Sequence, residues 1–291
     1  MSGQDNTNAT DTTTPGKVPP APKGTLKKVR VGHLQEMKAS GRPITVVTAY
    51  DAPTAALADK AGLDVLLVGD SVGNTVHGFE TTLPVTMDMM ILHTAAVARG
   101  AQRPLIVADL PFMTFQVSVE KTLENAGRLV SKGGAEAVKL ETNDPHVLSS
   151  VERLVSAGIP VMGHVGLTPQ SVNATSGYRV QGRGEDAAKA LLEQSLRVQE
   201  AGAFAIVLEL VPATLAQQVT ERLSVPIIGI GAGVHCDGQV LVFHDLVGLT
   251  ESPPRFARKY MDMRAGVLRG LRKFARDVRE KSYPDTGHSY E

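Results

Sequence analysis

The sequence lacks several features that define whole classes of protein. Its 291 residues include one cysteine, Cys236, and no tryptophan. A single cysteine forms neither an internal disulfide nor a multi-thiolate zinc site, which excludes a disulfide scaffold and a zinc finger. Apolar runs end after about six residues, far short of the ~18 that a membrane helix needs. These absences predict a soluble, cytoplasmic protein that does not enter a membrane.

The first residues also lack what a targeting signal requires. Residues 1–20 are rich in Ser, Thr, Asn, Asp, Gly and Pro, with no apolar segment and no arginine. A secretory signal needs an apolar core, and a transit peptide is rich in arginine. We therefore expect residues 1–23 to form a disordered leader and residues 24–284 to form one catalytic domain.

Neither sign of charge is in excess, because 30 Lys and Arg balance 30 Asp and Glu. Residues 43–254 are nevertheless acidic, with 13 basic and 22 acidic residues, whereas residues 255–281 hold 10 basic and three acidic ones. Helical spacing of apolar residues predicts an amphipathic helix, Arg255–Lys281, with its apolar side inward. That side comprises Phe256, Tyr260, Met263, Val267, Leu271 and Phe274. An arm that binds RNA or a membrane is the alternative, but we favour packing and expect no nucleic-acid partner.

Short apolar runs alternate with stretches of helical length along the rest of the chain. This order predicts parallel strands joined by right-handed crossovers, and eight such units fit a single (β/α)₈ TIM barrel of about 250 residues. The predicted strands are Ile44–Ala49, Asp64–Val68, Pro104–Ala108, Ala137–Leu140, Pro160–Met162, Ala205–Leu208, Pro226–Ile230 and Asp245–Gly248. The predicted helices between them are Ala52–Ala61, Met87–Arg99, Val119–Lys132, Pro145–Ala157, Glu185–Ala201 and Ala213–Leu223.

The ends of the chain extend this barrel, whose core is expected at about residues 43–250. An extra N-terminal helix is predicted over Leu26–Ser40, where it would close the bottom of the barrel. C-terminal helices are predicted within an extension over residues 251–284. Both additions follow from helical spacing of apolar residues outside the eight repeated units.

Ionisable residues end or follow most of the predicted strands, which is where a TIM barrel places its catalytic groups. Asp70, Asp109 and Glu141 lie at the second, third and fourth strands. Buried carboxylates need compensation, and a divalent cation would supply it. All-oxygen ligation suits Mg²⁺ better than zinc, so these three residues are predicted metal ligands. The alternative is that each carboxylate caps the helix that follows it or starts a turn.

Lys139, Glu209 and His164 are further ionisable residues at strand ends. Lys139 shares a strand face with Glu141 and would donate to a substrate oxyanion; a Schiff base and a buried ion pair are the alternatives. Glu209 interrupts an apolar run, and burial should raise its pKa toward that of a general base. His164 is suited to a hydrogen bond with an oxyanion or a metal-bound water.

Two loops are also expected at the mouth of the barrel. The glycine-rich segment Gly229–Gly233 is similar to the phosphate-binding turns that follow the seventh strand of many barrels, although glycines also simply permit tight turns. The basic loop Gly177–Gly184 is predicted to form a mobile lid.

Seven segments, in order over about residues 43–250, resemble the ketopantoate hydroxymethyltransferase family. They are Val47–Asp51, Val68–Gly73, Thr82–Thr86, Ala108–Phe112, Val138–Glu141, Gly163–Gln170 and Gly229–Gly233. The resemblance implies transfer of a hydroxymethyl group from 5,10-methylenetetrahydrofolate to 3-methyl-2-oxobutanoate, giving 2-dehydropantoate in the first step of pantothenate and coenzyme A synthesis. It also implies one Mg²⁺ per subunit, an enolate stabilised by that Mg²⁺, and a homodecamer.

The resemblance assigns roles to individual residues of this sequence. The family's metal ligands match Asp70, Asp109 and Glu141. Its contacts to the 2-oxo acid match Asp70, Ser71, Asp109 and Lys139. Its proton acceptor matches Glu209, and His164 falls on an active-site histidine of the family.

Two other functions are compatible with the residues alone. One is a Mg²⁺-dependent lyase or mutase acting on 2-oxo acids, of the isocitrate lyase or phosphoenolpyruvate mutase type, which shares the enolate chemistry. Such lyases need a cysteine acid on a loop, and Cys236 lies in the wrong part of the sequence. The other is a barrel without catalytic activity that binds a metabolite or, through residues 255–281, RNA.

Overall fold

Eight parallel strands close into a barrel in this computed structural model, which describes residues 27–174 and 177–290. The strands follow one another in chain order, and the first pairs with the last. They are β1 (Ile44–Thr48), β2 (Val65–Val68), β3 (Leu105–Asp109), β4 (Ala137–Glu141), β5 (Val161–Gly166), β6 (Ala205–Glu209), β7 (Ile227–Ile230) and β8 (Gly238–Leu241). The predicted TIM barrel is confirmed. The predicted leader, residues 1–23, lies outside the described residues.

Helices connect the strands, and the six predicted between strands are present to within one residue at each end. The helices are α1 (Val31–Ala39), α2 (Ala52–Ala61), α3 (Val72–Thr75), α4 (Met87–Gly100), α5 (Val119–Ser131), α6 (Pro145–Ser156), α7 (Glu185–Glu200), α8 (Ala213–Arg222), α9 (Phe243–Leu246) and α10 (Met263–Arg279). Local capping explains several starts: the side chains of Asp51, Thr86 and Ser118 each accept a backbone N–H from the first turn. Such caps stabilise a helix by about 1 kcal/mol.

The eighth strand is not where the sequence pattern placed it. The predicted strand Asp245–Gly248 is wrong, since part of it belongs to α9, and β8 begins earlier, at Gly238. A Cβ at Gly238 would lie 2.5 Å from the carbonyl oxygen of Ile44 in β1, so the glycine allows the barrel to close. A short apolar run such as residues 245–248 does not by itself distinguish a helix from a strand. The glycine that starts β8 is required by a tertiary contact, which the local sequence pattern does not show.

The fifth strand is longer than predicted and includes His164. We predicted a strand that ends at Met162, but β5 continues to Gly166. Gly163 ended the apolar pattern from which the strand was predicted. A glycine is needed there because β5 packs against α7, and a Cβ would lie 2.4 Å from the side chain of Val198. His164 therefore lies within β5, where it pairs in register with Glu141 of β4, rather than after the strand.

The inside of the barrel is apolar at its lower, N-terminal end. Inward-facing residues from the strands form one buried cluster, which includes Ile44, Val46, Val65, Leu67, Leu105, Val107, Ala137, Met162, Ala205, Val207, Ile228, Ile230 and Val240. Leu34 and Met37 of α1 join the same cluster and are buried. Helix α1 begins at Val31 rather than at residue 26, and its position confirms that it closes the bottom of the barrel.

The C-terminal helix differs from the prediction in start and orientation. It begins at Met263, and none of its residues is buried. Tyr260 is 64% exposed, Leu271 60% and Phe274 55%, so the expectation that the apolar side packs inward is wrong for the single chain. Residues 249–256 instead cross the barrel mouth, where Phe256 lines the cavity described below. Among the described residues, no helix is both long and apolar enough to span a membrane.

Candidate active site

A cavity of about 440 Å³ opens at the C-terminal ends of the strands. All seven residues singled out in the sequence line it: Asp70, Ser71, Asp109, Lys139, Glu141, His164 and Glu209. The carboxylates do not cap the helices that follow their strands, because those helices have Ser71, Ser118 and Asp144 at their N-caps. The alternative that these carboxylates cap the following helices is therefore wrong, although Asp70 does begin the turn that leads into α3.

Strand alternation explains why these side chains meet. In β3, Leu105 and Val107 belong to the inner cluster, and Asp109 is the next residue of that series. In β4, Lys139 and Glu141 continue the inward series in the same way. Because side chains alternate with a period of two, the apolar lower layers of the barrel align the charged layer above them.

Asp109 links Asp70 to Lys139. Its Oδ1 lies 2.9 Å from Nζ of Lys139, and its Oδ2 accepts the backbone N–H of Asp70 at 3.1 Å. Burial, and next the charge of Asp109, raises the pKa of Asp70 to about 7. Burial acts to lower the pKa of Lys139, but the negative charges of Asp109 and Asp70 outweigh this effect, so the lysine pKa is raised. A protonated lysine is not a nucleophile, which disfavours the Schiff-base alternative.

His164 lies between Lys139 and Glu209. Its Nδ1 is 3.4 Å from Nζ of Lys139, and its Nε2 is 3.2 Å from Oε2 of Glu209. Burial, followed by the charge of Lys139, lowers the pKa of His164 and favours the neutral ring. An ammonium only donates, so Nδ1 is the acceptor and the ring proton is on Nε2, facing Glu209. The ring thus connects Lys139 to the carboxylate of Glu209.

Gln170 is a site residue without a role predicted from the sequence. It follows β5 in a short 3₁₀ turn, and only 4% of it is exposed. Its backbone N–H donates to Oε1 of Glu141 at 2.9 Å, and its Nε2 donates to Oδ2 of Asp70 at 2.8 Å. The segment Gly163–Gln170 was part of the family resemblance, but an amide has no charge that would single it out in a sequence.

Tyr50 is a second residue without a predicted role. Its hydroxyl lies 2.8 Å from Oγ of Ser71, and burial raises the pKa of the phenol. Ser71 in turn depends on Gly69, because a Cβ there would lie 2.8 Å from the serine Oγ. The Gly69–Ser71 turn therefore presents Ser71 beside Asp70, with the Tyr50 hydroxyl as its partner.

Backbone strain follows directly after Glu209. Leu210 has φ +47°, and it is held by hydrogen bonds from its N–H to Ile230 and from Gln181 to its carbonyl. Gly166, with φ +96°, also approaches this point, since a Cβ there would lie 2.3 Å from the carbonyl oxygen of Glu209. A non-glycine residue in this conformation costs about 1–3 kcal/mol and persists only when its surroundings fix it. The position of Glu209 is therefore tightly determined.

The two predicted mouth loops differ in what they contribute. A Cβ at Gly231 would lie 3.0 Å from the Phe256 ring, and one at Gly233 would lie 2.5 Å from the Cβ of Ala213. The seventh-strand glycines therefore allow close packing, which favours that role over phosphate binding. The predicted lid places Tyr178 in the cavity wall, while residues 175–176 beside it lie outside the described residues.

The donor chemistry of the cavity fits a hard divalent cation. Burial and mutual repulsion raise the pKa values of Asp70 and Glu141, and a bound cation would relieve that repulsion. Within residues 27–174 and 177–290, no three Asp, Glu, His or Cys side chains already form a compact ligand cluster. Mg²⁺ commonly takes one or two carboxylates and completes its shell with water and substrate oxygens. The residues therefore fit Mg²⁺ that shares its coordination with a substrate.

The fold is shared with solved structures of low sequence identity. Phosphoenolpyruvate phosphomutase from Streptomyces platensis subsp. rosaceus is 16% identical, with a TM-score of 0.60 over 86% of this chain and 88% of that one. At this identity the likeness shows the common barrel alone.

Sequence relatives are much closer. The 3-methyl-2-oxobutanoate hydroxymethyltransferase of Carboxydothermus hydrogenoformans is 49% identical over 266 residues, which cover 91% of this chain and 96% of that protein. The enzyme of the same name from Syntrophotalea carbinolica is 51% identical over 265 residues, which cover 91% and 99%. The family model for ketopantoate hydroxymethyltransferase matches residues 28–286. The chain belongs to the ketopantoate hydroxymethyltransferase family.

Proposed function

We propose that this protein transfers a hydroxymethyl group from 5,10-methylenetetrahydrofolate to 3-methyl-2-oxobutanoate, giving 2-dehydropantoate for pantothenate and coenzyme A synthesis. The observation that supports the proposal is that carboxylates at the ends of the strands and Lys139 line one cavity. The chain that builds this cavity is 49% identical to a 3-methyl-2-oxobutanoate hydroxymethyltransferase. The cavity volume of about 440 Å³ suits a small 2-oxo acid together with the reactive part of a second substrate.

The proposed binding site for the 2-oxo acid comprises Asp70, Ser71, Asp109 and Lys139. Ser71, whose hydroxyl pairs with Tyr50, can donate a hydrogen bond to the acid, and the protonated Lys139 supplies positive charge beside its oxygens. One or two of the carboxylates Asp70, Asp109 and Glu141 would hold Mg²⁺, and the ion, with its coordination completed by water and oxygens of the 2-oxo acid, would polarise the keto group and acidify the C3 proton.

Glu209 is the proposed proton acceptor. It lies at the end of β6 with its side chain 14% exposed, so it reaches the cavity without being fully surrounded by water. The carboxylate takes the proton from C3, and the negative charge moves to the keto oxygen near Lys139. The ring of His164 faces Glu209, with Nε2 3.2 Å from Oε2, and would limit the positions open to the carboxylate during this transfer.

The one-carbon unit then joins C3. Water adds to the methylene carbon of the folate, opened as an iminium, and loses a proton. The C–N bond then breaks as the folate nitrogen takes up a proton, which releases tetrahydrofolate and leaves the one-carbon unit as an aldehyde. The enolate carbon attacks that carbon to form the new carbon–carbon bond, and the oxygen that came from water takes up a proton to become the new hydroxyl group. Glu209 would move protons in these steps. The wall of the cavity would limit access of other nucleophiles to the iminium.

The proposal includes a cytoplasmic homodecamer. The apolar side of α10 supports assembly, because Val267, Leu271 and Phe274 are each at least 42% exposed on the single chain. Contiguous exposed apolar surface of this kind is typical of a contact with another chain. Another copy of this chain would cover that side, while the basic residues of the same helix would face the acidic barrel.

Lyase or mutase chemistry on a 2-oxo acid is the rival function. A lyase of that kind needs a cysteine acid at the active site, but Cys236 does not line the cavity and packs with the outer cluster between strands and helices. Its thiol pKa is raised, mainly by burial. The position of the cysteine therefore favours the hydroxymethyltransferase reaction.

The test is incubation of the protein with 3-methyl-2-oxobutanoate, 5,10-methylenetetrahydrofolate and Mg²⁺, with detection of 2-dehydropantoate. We expect product only when all three are present, and loss of product on addition of a chelator. Absence of product from the complete mixture would contradict the proposed function. Cleavage of other 2-oxo acids without folate would instead support the rival.

A further inference from the structure

The amide of Gln170 is fully engaged although it carries no charge. Its Nε2 donates both to Oδ2 of Asp70 at 2.8 Å and to the carbonyl oxygen of Leu110 at 3.0 Å. Its Oε1 accepts Nε2 of Gln116 at 3.3 Å, and its backbone N–H donates to Oε1 of Glu141. One buried residue therefore reaches the ends of β2, β3 and β4, where the three carboxylates lie.

The direction of this amide matters for Asp70. The carbonyl oxygen of Leu110 only accepts hydrogen bonds, so the amide nitrogen Nε2 of Gln170 must face Leu110 and Asp70, and Oε1 must face away. Gln116, which is exposed and lies in the loop after β3, donates to that Oε1 and so fixes the orientation. Reversal of the amide would turn its oxygen toward the carbonyl oxygen of Leu110, which has no proton to donate.

We infer that Gln170 is a positioning residue that presents Asp70 and Glu141 to the divalent cation and the 2-oxo acid, and that Gln116 sets the direction of its amide. The inference rests on the proposed function for the identity of the substrate, but the hydrogen bonds themselves do not. Two buried carboxylates that repel each other need donors to stay aimed at one point, and Gln170 supplies one donor to each.

The first test replaces the donor without changing the shape of the side chain. Gln170→Met keeps the length of the side chain and the backbone N–H to Glu141, but it removes the hydrogen bond to Asp70. Mn²⁺ binding to the substrate-free protein, measured by electron paramagnetic resonance, is expected to weaken by about 10–100-fold, as for partners that orient metal ligands. The KM for the 2-oxo acid is expected to rise as well. Wild-type Mn²⁺ affinity in a folded Gln170→Met protein would overturn the inference.

The second test works on the exposed partner and does not depend on a buried substitution. Gln116→Glu replaces the donor with an acceptor of the same shape, which favours the reversed amide of Gln170. The added negative charge alone would strengthen cation binding, so a weakening of about 10-fold in a variant with the wild-type unfolding temperature is the result expected from the changed orientation. Gln116→Ala is the matched control, since it removes the donor without favouring reversal and should weaken Mn²⁺ binding less.

These measurements separate the inference from the proposed function. If Gln116→Glu binds Mn²⁺ as tightly as the wild type or more tightly, the orienting role of Gln116 is refuted. If the wild-type protein forms no 2-dehydropantoate, the proposed function fails, and Mn²⁺ binding still decides the role of Gln170. Unfolding temperatures of the variants show whether a loss of binding reflects a loss of fold.

Discussion

The two ends of this barrel are built from the same eight strands but have opposite chemistry. At the lower end, Leu34 of α1 packs against strand residues such as Ile44 and Leu105, and these side chains are at most 2% exposed. At the upper end, the same inward series continues with Asp109 and Lys139, which are also buried but charged.

The difference between the ends lies in what burial does to each. Apolar burial stabilises the folded chain by roughly 25 cal/mol for each Å² removed from water. Burial of the upper side chains disfavours their charged forms, as the raised pKa values of Asp70 and Glu141 show. The lower end therefore supports the fold, and its stability offsets the cost of a charged cavity above it. Substitutions at the two ends should affect different measurements.

The largest effect is expected at the upper end, on turnover. Glu209→Gln removes the proton acceptor but keeps the size of the side chain, so kcat should fall by about 10²–10⁴-fold. Glu209 is not deeply buried, so Mn²⁺ affinity and the unfolding temperature should stay near wild type. Steady-state kinetics with both substrates measure the change. A kcat near the wild-type value would remove Glu209 from this role.

The next largest effect is expected at the lower end, on stability. Leu34→Ala leaves a cavity where α1 closes the barrel, and it should lower the free energy of unfolding by about 2–5 kcal/mol. Denaturant titration measures the loss, while kcat of the folded fraction should stay near wild type. Leu57→Ala, at a leucine that is 61% exposed, is the control and should change stability by about 0.5 kcal/mol or less. Equal losses at both leucines would contradict the assigned role of α1.

A smaller effect is expected for the residue that positions the base. His164→Gln removes the ring between Lys139 and Glu209, and the resulting misplacement of Glu209 should lower kcat by up to about 10²-fold. The KM for the 2-oxo acid should change little, because His164 is not among the proposed substrate contacts. A rise in KM with unchanged kcat would instead place His164 in substrate binding.

The smallest effect on a single chain is expected outside the barrel. Leu271 on α10 is 60% exposed, so Leu271→Asp should change the stability of the isolated chain by about 0.5 kcal/mol or less. In the assembled protein the new charge would lie in an apolar contact, and we expect smaller species by light scattering. Leu57→Asp, at the exposed leucine of α2, is the control because it adds the same charge to an exposed leucine outside α10. An unchanged oligomer in Leu271→Asp would show that α10 does not form the contact.

Local patterns in the sequence determined most of the framework. Helical spacing and side-chain caps gave the six connecting helices, and apolar runs bounded by Gly, Pro or Asp placed seven of the eight strands. Asp109, Lys139 and Glu141 lie at strand ends, and side chains two positions apart on a strand point the same way. These two facts indicated that the three residues would share one cavity, as they do. These properties depend on neighbours within a few positions, so the sequence contains them directly.

Only the tertiary structure decided the features that depend on distant residues. Strand β8 begins at Gly238 because a residue without a side chain lets β8 approach β1. Gln170 joined the site because its side-chain amide donates to Asp70, 100 positions away, and its backbone N–H donates to Glu141, 29 positions away. The apolar side of α10 turned outward because the preceding segment crosses the barrel mouth and carries the helix away from the core. The sequence by itself therefore determined the barrel and its charged mouth, whereas close approaches and long-range hydrogen bonds determined how the barrel closes and how its carboxylates are held.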